Sequence, residues 1–160
     1  MVIVLMGVTA SGKTSVGRLL ASALGCRFYD ADDFHPGVNI DKMRRGIPLD
    51  DADRLPWLKA LRDLVRRCLA DHTDAVLACS ALKDAYRRYL LVDPRVTLVY
   101  LKADRDLIRQ RLLQRRGHFM NPELLESQFA TLQEPAQGIW IDASLAPQVI
   151  VDAIRHQLSR

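Results

Sequence analysis

The chain has 160 residues, 49% of them hydrophobic and 26% charged, with a formal net charge of +4. That length supports one domain with a full core and excludes a second independent one, and the positive balance favours anionic ligands without requiring nucleic acid. Cys26, Cys68 and Cys79 are odd in number and scattered, which excludes a disulfide framework or a zinc site and fits a reducing, cytoplasmic setting.

In chain order, Val2-Ile3-Val4-Leu5-Met6 is a continuous apolar run, as expected of a strand buried on both faces. It is too short for a signal-peptide core or a membrane span, and no membrane partner is expected. The run feeds Gly7-Val8-Thr9-Ala10-Ser11-Gly12-Lys13-Thr14, which fits the pattern GxxxxGK[ST], with Ser15 adjoining it. Glycines let such a loop fold tightly around an anion, and successive N–H groups and a helix N-terminus then converge on phosphates. Lys13 is placed to reach the β and γ phosphates, and the Thr14 hydroxyl to hold Mg²⁺. Val16, Leu19, Leu20, Ala23 and Leu24 follow at helical spacing, with Gly25 as the stop. Strand, loop and helix in that order identify a nucleoside triphosphate site.

Further strand character occurs over 26–30, 75–79, 96–101 and 138–142, each separated from the next by helical patterning. The alternation predicts an α/β fold with a five-stranded parallel sheet covered by helices on both faces. Trp57, Leu58, Leu61, Leu64, Val65, Cys68 and Leu69 predict a long helix entered at Pro56, with Trp57 in the core. Asn121-Pro122 reads as a helix cap followed by proline at the first helical position. Ligands of a parallel sheet bind beyond the carboxyl ends of its strands, so the chemistry belongs in the loops there.

Those loops are rich in charge. After the second strand, Asp30, Asp32 and Asp33 stand before His35-Pro36. In an extended segment Asp30 and Asp32 point the same way, one toward a metal's water shell and the other toward an attacking hydroxyl. Lys42, Arg44 and Arg45, then Asp50, Asp51, Asp53 and Arg54, form a mixed cluster before the long helix. The third strand runs into a predicted helix from Ser80, on which Lys83 and Arg87 share a face at i and i+4. Stretch 104–116 carries Arg105, Arg109, Arg111, Arg115 and Arg116, with Arg111 and Arg115 on one face. Gly117-His118-Phe119-Met120 then reads as a hinged segment able to close over phosphates.

Several of these segments together resemble the thermoresistant-gluconokinase family of small P-loop kinases. The resemblance covers nearly the whole chain. It is carried by Gly7–Thr14, by Asp32-Asp33-Phe34-His35-Pro36 with Asn39-Ile40 and Lys42-Met43, and by Gly46-Ile47-Pro48-Leu49 with Asp51, Asp53-Arg54 and Pro56-Trp57-Leu58. Cys79-Ser80-Ala81-Leu82-Lys83 with Tyr86-Arg87, Arg116-Gly117-His118-Phe119-Met120, and Ser127-Gln128-Phe129 with Leu132 and Glu134-Pro135 complete it. It implies a single shikimate-kinase/adenylate-kinase-like domain, 1–160, with a substrate-binding insertion near 34–56 and a lid near 116–135. It also implies cytosolic, ATP- and Mg²⁺-dependent phosphorylation of D-gluconate to 6-phosphogluconate, by a homodimer.

On the same ground Arg111 is expected to stack on adenine and Arg115 to reach the transferring phosphate. Asp30 becomes the Mg²⁺-side carboxylate and Asp32 the group that orients or deprotonates the acceptor hydroxyl. Gluconate would lie among His35, Lys42, Arg54, Lys83, Arg87 and His118. Two departures stand out: Thr9-Ala10 where the family often has Ser-Gly, and Gln133 in place of a frequent glutamate. A shikimate kinase typically carries a Gly-Gly-Gly turn after the third strand, where this chain has Cys79-Ser80-Ala81. A nucleic-acid-binding switch would require aromatic or basic-tail features that the sequence does not offer.

Overall fold

The computed structural model describes residues 1–115 and 122–160. Strands β1 (Val2–Met6), β2 (Arg27–Asp30), β3 (Ala75–Ala78), β4 (Val96–Lys102) and β5 (Ile139–Asp142) form one parallel sheet in the order β2-β3-β1-β4-β5. Every residue of β1 is buried because the strand lies at the centre and both its faces are covered. Its side chains alternate between two cores, as the period of two requires. Val2, Val4 and Met6 join Trp57, Leu61, Val65 and Leu90 on one side, and Ile3 and Leu5 join Leu20, Ile108, Ile150 and Ile154 on the other.

The first core lies under α3 (Asp51–Ala70) and α4 (Asp84–Leu90). The second lies under α1 (Lys13–Leu24), α5 (Arg105–Gln114), α6 (Pro122–Thr131) and α7 (Pro147–Leu158). Gly25 ends α1 in the left-handed conformation, φ 64°, which glycine adopts without strain. A 3-10 turn, Ala31–Phe34, and α2 (Gly37–Arg44) connect β2 to α3.

Two helices begin elsewhere than their sequence predicts. Helix α3 starts at Asp51 rather than at Pro56, because Asp50 and Asp53 cap each other's backbone N–H groups at 2.7 and 3.1 Å. The acidic cluster is therefore largely a helix start. Helix α4 starts at Asp84, not near Ser80: the chain leaves β3 through a loop in which Ala81 has φ 45°, a conformation that excludes helix. No helix therefore begins at Ser80 to favour an anion there by its dipole.

Candidate active site

The phosphate loop bends sharply out of β1. A Cβ at Gly7 would lie 2.6 Å from Ser11 Oγ, and Gly12 has φ 101°, so both positions demand glycine. The loop walls a cavity of about 510 Å³, closed by Asp30, Asp32, Cys79, Arg115 and Gln128. Lys13 Nζ donates to Gly7 O and Val8 O, each at 2.9 Å. Burial lowers its pKa to about 8, with Asp32 and Asp30 opposing only in part. Ser11 Oγ is buried without a partner among the described residues. A desolvated cation whose hydrogen bonds go only to carbonyls among the described residues, beside a buried hydroxyl without a partner there, is a site that a polyphosphate fits.

Thr14 Oγ1 donates to Asp30 Oδ2 at 3.3 Å, while Asp30 Oδ1 accepts the Asp32 N–H at 3.0 Å. Two hard oxygen ligands thus converge beside the phosphate loop, a donor set suited to Mg²⁺. On the loop's other side a cavity of about 400 Å³ is lined by Gly12, Ser15, Arg111, Arg115, Leu145 and Pro147, among others. Arg111 spans it, donating to Ala10 O at 3.1 Å and Ala143 O at 2.6 Å. Its planar guanidinium and the apolar wall suit a nucleobase. Arg105 and Arg109, by contrast, pair with Glu126 and Asp106. Cys79 is fully buried behind the phosphate-loop cavity, and burial pushes its thiol up to about 12, which makes it a packing residue.

A further cavity, of about 560 Å³, opens on the far side of Asp32, which lines both it and the phosphate-loop cavity. Burial, with the neighbouring Asp30, raises the Asp32 pKa. The cavity's polar groups include His35, Arg54, Tyr86, Ser127 and Gln128. Its floor is Trp57, a core residue whose indole N–H donates to Ala31 O at 2.7 Å and whose ring stacks on His35 at 4.4 Å. Arg54 donates to Leu49 O at 2.8 Å and faces the Tyr86 ring, yet among the described residues it makes no ion pair.

Three cations expected near the substrate lie otherwise engaged. Lys42 pairs with Asp53 at 2.8 Å, and Lys83 with Asp51 at 3.4 Å while covering the Tyr86 ring. Neither lines a cavity described above. Arg87 is buried, 3% exposed, donating to Ala81 O, Leu82 O and Gln133 O at 2.8–3.2 Å. It braces the β3–α4 loop against the end of α6 and does not project into a cavity. Helical spacing had placed it beside Lys83 because the late start of α4 was not legible. His118, with the rest of 116–121, lies outside the described residues. Three polar cavity groups had no role assigned from sequence: Tyr86, Ser127, and Gln128, whose Oε1 accepts the Thr9 N–H at 3.0 Å. Only their place in the quoted motif blocks marked them.

Comparison with known proteins narrows the reading. The shikimate kinase family profile matches residues 9–158. Thermoresistant gluconokinase of Escherichia coli is 46% identical over 133 residues, 82% of this chain and 76% of that protein. The chain belongs to the gluconokinase family. A gluconokinase from Sinorhizobium meliloti, known from its crystal structure, superposes with a TM-score of 0.87 at 39% identity, covering 99% of this chain and 91% of that one. Shikimate kinase from Aquifex aeolicus is 19% identical, with a TM-score of 0.63 over 99% of this chain and 96% of its own, and shares the fold. The shikimate kinase profile thus describes the P-loop kinase architecture, and the higher identity lies with gluconokinases. As a member of that family the chain is a P-loop kinase, and no described helix is long and apolar enough to cross a membrane.

Proposed function

We propose that this enzyme transfers the γ-phosphate of ATP to the primary hydroxyl of D-gluconate, giving 6-phospho-D-gluconate. The observation that carries the reading is the junction at Asp32, shared between the phosphate-loop cavity and the one holding Arg54, which makes no ion pair among the described residues. The nucleobase would lie against Arg111 and the triphosphate along Gly7–Thr14. Thr14 and Asp30 would hold Mg²⁺, which supplies charge neutralisation for the phosphates when bound. Gluconate would occupy the acceptor cavity with its carboxylate on Arg54 and its reacting hydroxyl at Asp32. Residues 34–56 then act as the acceptor-binding insertion, 116–135 as the lid, and the active species is a homodimer.

Phosphoryl transfer proceeds through a loose transition state, so positioning and electrostatics outweigh strong base catalysis. Lys13, released from the Gly7 and Val8 carbonyls, meets charge developing between the β and γ phosphates. Arg115, which lines both the phosphate and nucleobase cavities, approaches the transferring group. Asp32 aims the hydroxyl and accepts its proton late. Its raised pKa, from burial and the neighbouring Asp30, makes it a better proton acceptor than a solvated carboxylate.

The test is a kinase assay with identification of products, run on gluconate, glucose, shikimate and other aldonates under one condition. One hydrogen-bonded charge on the carboxylate contributes about 1.5–3 kcal/mol, so gluconate should exceed glucose by roughly tenfold to 150-fold in kcat/KM. Equal values would remove carboxylate recognition, and a preference for shikimate would overturn the acceptor.

A further inference from the structure

Asn39, 1% exposed on α2, settles where His35 carries its proton. Its Nδ2 lies 2.8 Å from the Asp53 carbonyl oxygen and 3.2 Å from His35 Nδ1. A carbonyl oxygen only accepts, so the amide side facing Asp53 must be the NH₂; exchanging its O and N would set two acceptors against each other. That same NH₂ cannot accept, so His35 Nδ1 must do so with its lone pair. A neutral ring with Nδ1 bare carries its hydrogen on Nε2. Asn39 occupies the Nδ1 edge of His35 and Trp57 covers one face, which leaves the Nε2 edge to line the acceptor cavity. Among the described residues Nε2 has no protein acceptor.

We propose that Asn39 is a positioning residue that fixes His35 as the Nε2–H tautomer, so that His35 donates to a hydroxyl oxygen of the polyhydroxy acceptor beside Asp32. This rests on the gluconate reading of that cavity. Two charged groups bear on the ring, Asp32 from the 3-10 turn and Arg54 from α3. Burial and Arg54 disfavour an imidazolium while Asp32 favours one, and the balance lowers the pKa, which keeps a single ring proton. A donor there fits lone pairs of a hydroxyl and leaves that hydroxyl's own hydrogen free to face the Asp32 carboxylate.

The tautomer is read without substrate, from long-range ¹H–¹⁵N spectra of the apo enzyme: Nε2 protonated and Nδ1 bare is expected, and the reverse would overturn the proposal. Asn39→Asp, nearly isosteric but unable to donate, should move the hydrogen to Nδ1 or yield an imidazolium, which a purely structural asparagine would not do. A glutamine amide can stand in for Nε2–H, whereas an asparagine amide reaches only to the Nδ1 position. His35→Gln should therefore keep gluconate kcat/KM within about threefold, and His35→Asn should lose roughly tenfold with the KM for ATP unmoved. Equal losses in the two variants would defeat the donor role. Absence of gluconate turnover in the wild type would instead overturn the acceptor, and with it His35's partner, while the apo spectrum still reports the tautomer.

Discussion

The donor cavity is built on one continuous stretch, 9–15, to which Asp30, Asp32, Arg115 and Gln128 are added from outside, whereas the acceptor cavity draws His35, Arg54, Tyr86 and Gln128 from four separate segments and has no such continuous base. In the first, backbone N–H groups and one lysine act together, and two glycines hold the curve. In the second, each side chain is held by a partner of its own: His35 by Asn39 and Trp57, Arg54 by Leu49, Tyr86 by Asp51. Nucleotide binding is therefore concentrated in a few atoms, and acceptor choice is spread over many. Single substitutions should act all-or-none in the donor half and by degrees in the acceptor half.

The largest effect belongs to Lys13→Ala, which should lower turnover by roughly 10²–10³ while leaving the fold intact, since one preorganised donor to developing charge is lost. A folded variant with near wild-type turnover would break the contrast at its strongest point. Next comes Arg54→Leu. Gluconate kcat/KM should fall by roughly tenfold to 150-fold, with the KM for ATP nearly constant, and glucose turnover should be little changed. If ATP and gluconate were affected alike, the two cavities would not be separable.

Arg87→Met should act mainly on stability. It removes the donor from the buried Ala81 carbonyl and the half-buried Gln133 carbonyl and leaves Leu82 O with the Gln133 N–H alone, at about 1–3 kcal/mol, visible as a fall in the urea midpoint, and loosening of the Ala81–Leu82 wall should raise the gluconate KM secondarily. Unchanged stability would contradict its role as a brace. A smaller signal comes from pH. With Lys13 lowered from 10.5 to about 8, the unfolded chain binds more protons between those values, so this group makes the apo enzyme more stable as pH rises through that window. Nucleotide affinity should move oppositely, weakening above about 8, because phosphate binding favours the charged amine. Calorimetry in buffers of different ionisation heat should show proton uptake on ATP binding there. The smallest effect is Lys83→Ala, an exposed pair with Asp51, for which less than about 1 kcal/mol and under fivefold in gluconate KM are expected.

That contrast also explains what could be read from sequence. The donor half was legible because its groups are contiguous, and the strands were placed within a residue at each end because buried parallel strands read as apolar runs. Arg111 and Arg115 line one cavity, but not as one helix face: α5 ends at Gln114 and Arg115 follows in extended backbone. Helix α4 was misplaced because a left-handed alanine carries no sequence signal, and that error aligned Arg87 with Lys83 as a surface pair. Asp50 and Asp53 looked like scattered charge because reciprocal capping by two aspartates departs from the usual pattern. The hydrogen bond from Asn39 to Asp53 O, which orients its amide toward His35, depends on how α2 packs on α3, which no local pattern encodes.

Ala10 sits in the left-handed region at φ 61°, which glycine adopts without strain, and its carbonyl is one of the two that receive Arg111. Holding an L-residue there costs about 1–2 kcal/mol, partly offset by the entropy a glycine would lose on folding. The loop therefore carries a small reserve of heat resistance that this chain leaves unused. Ala10→Gly draws on that reserve without touching a phosphate ligand's side chain, so the melting temperature can be raised from inside the most constrained segment of the molecule.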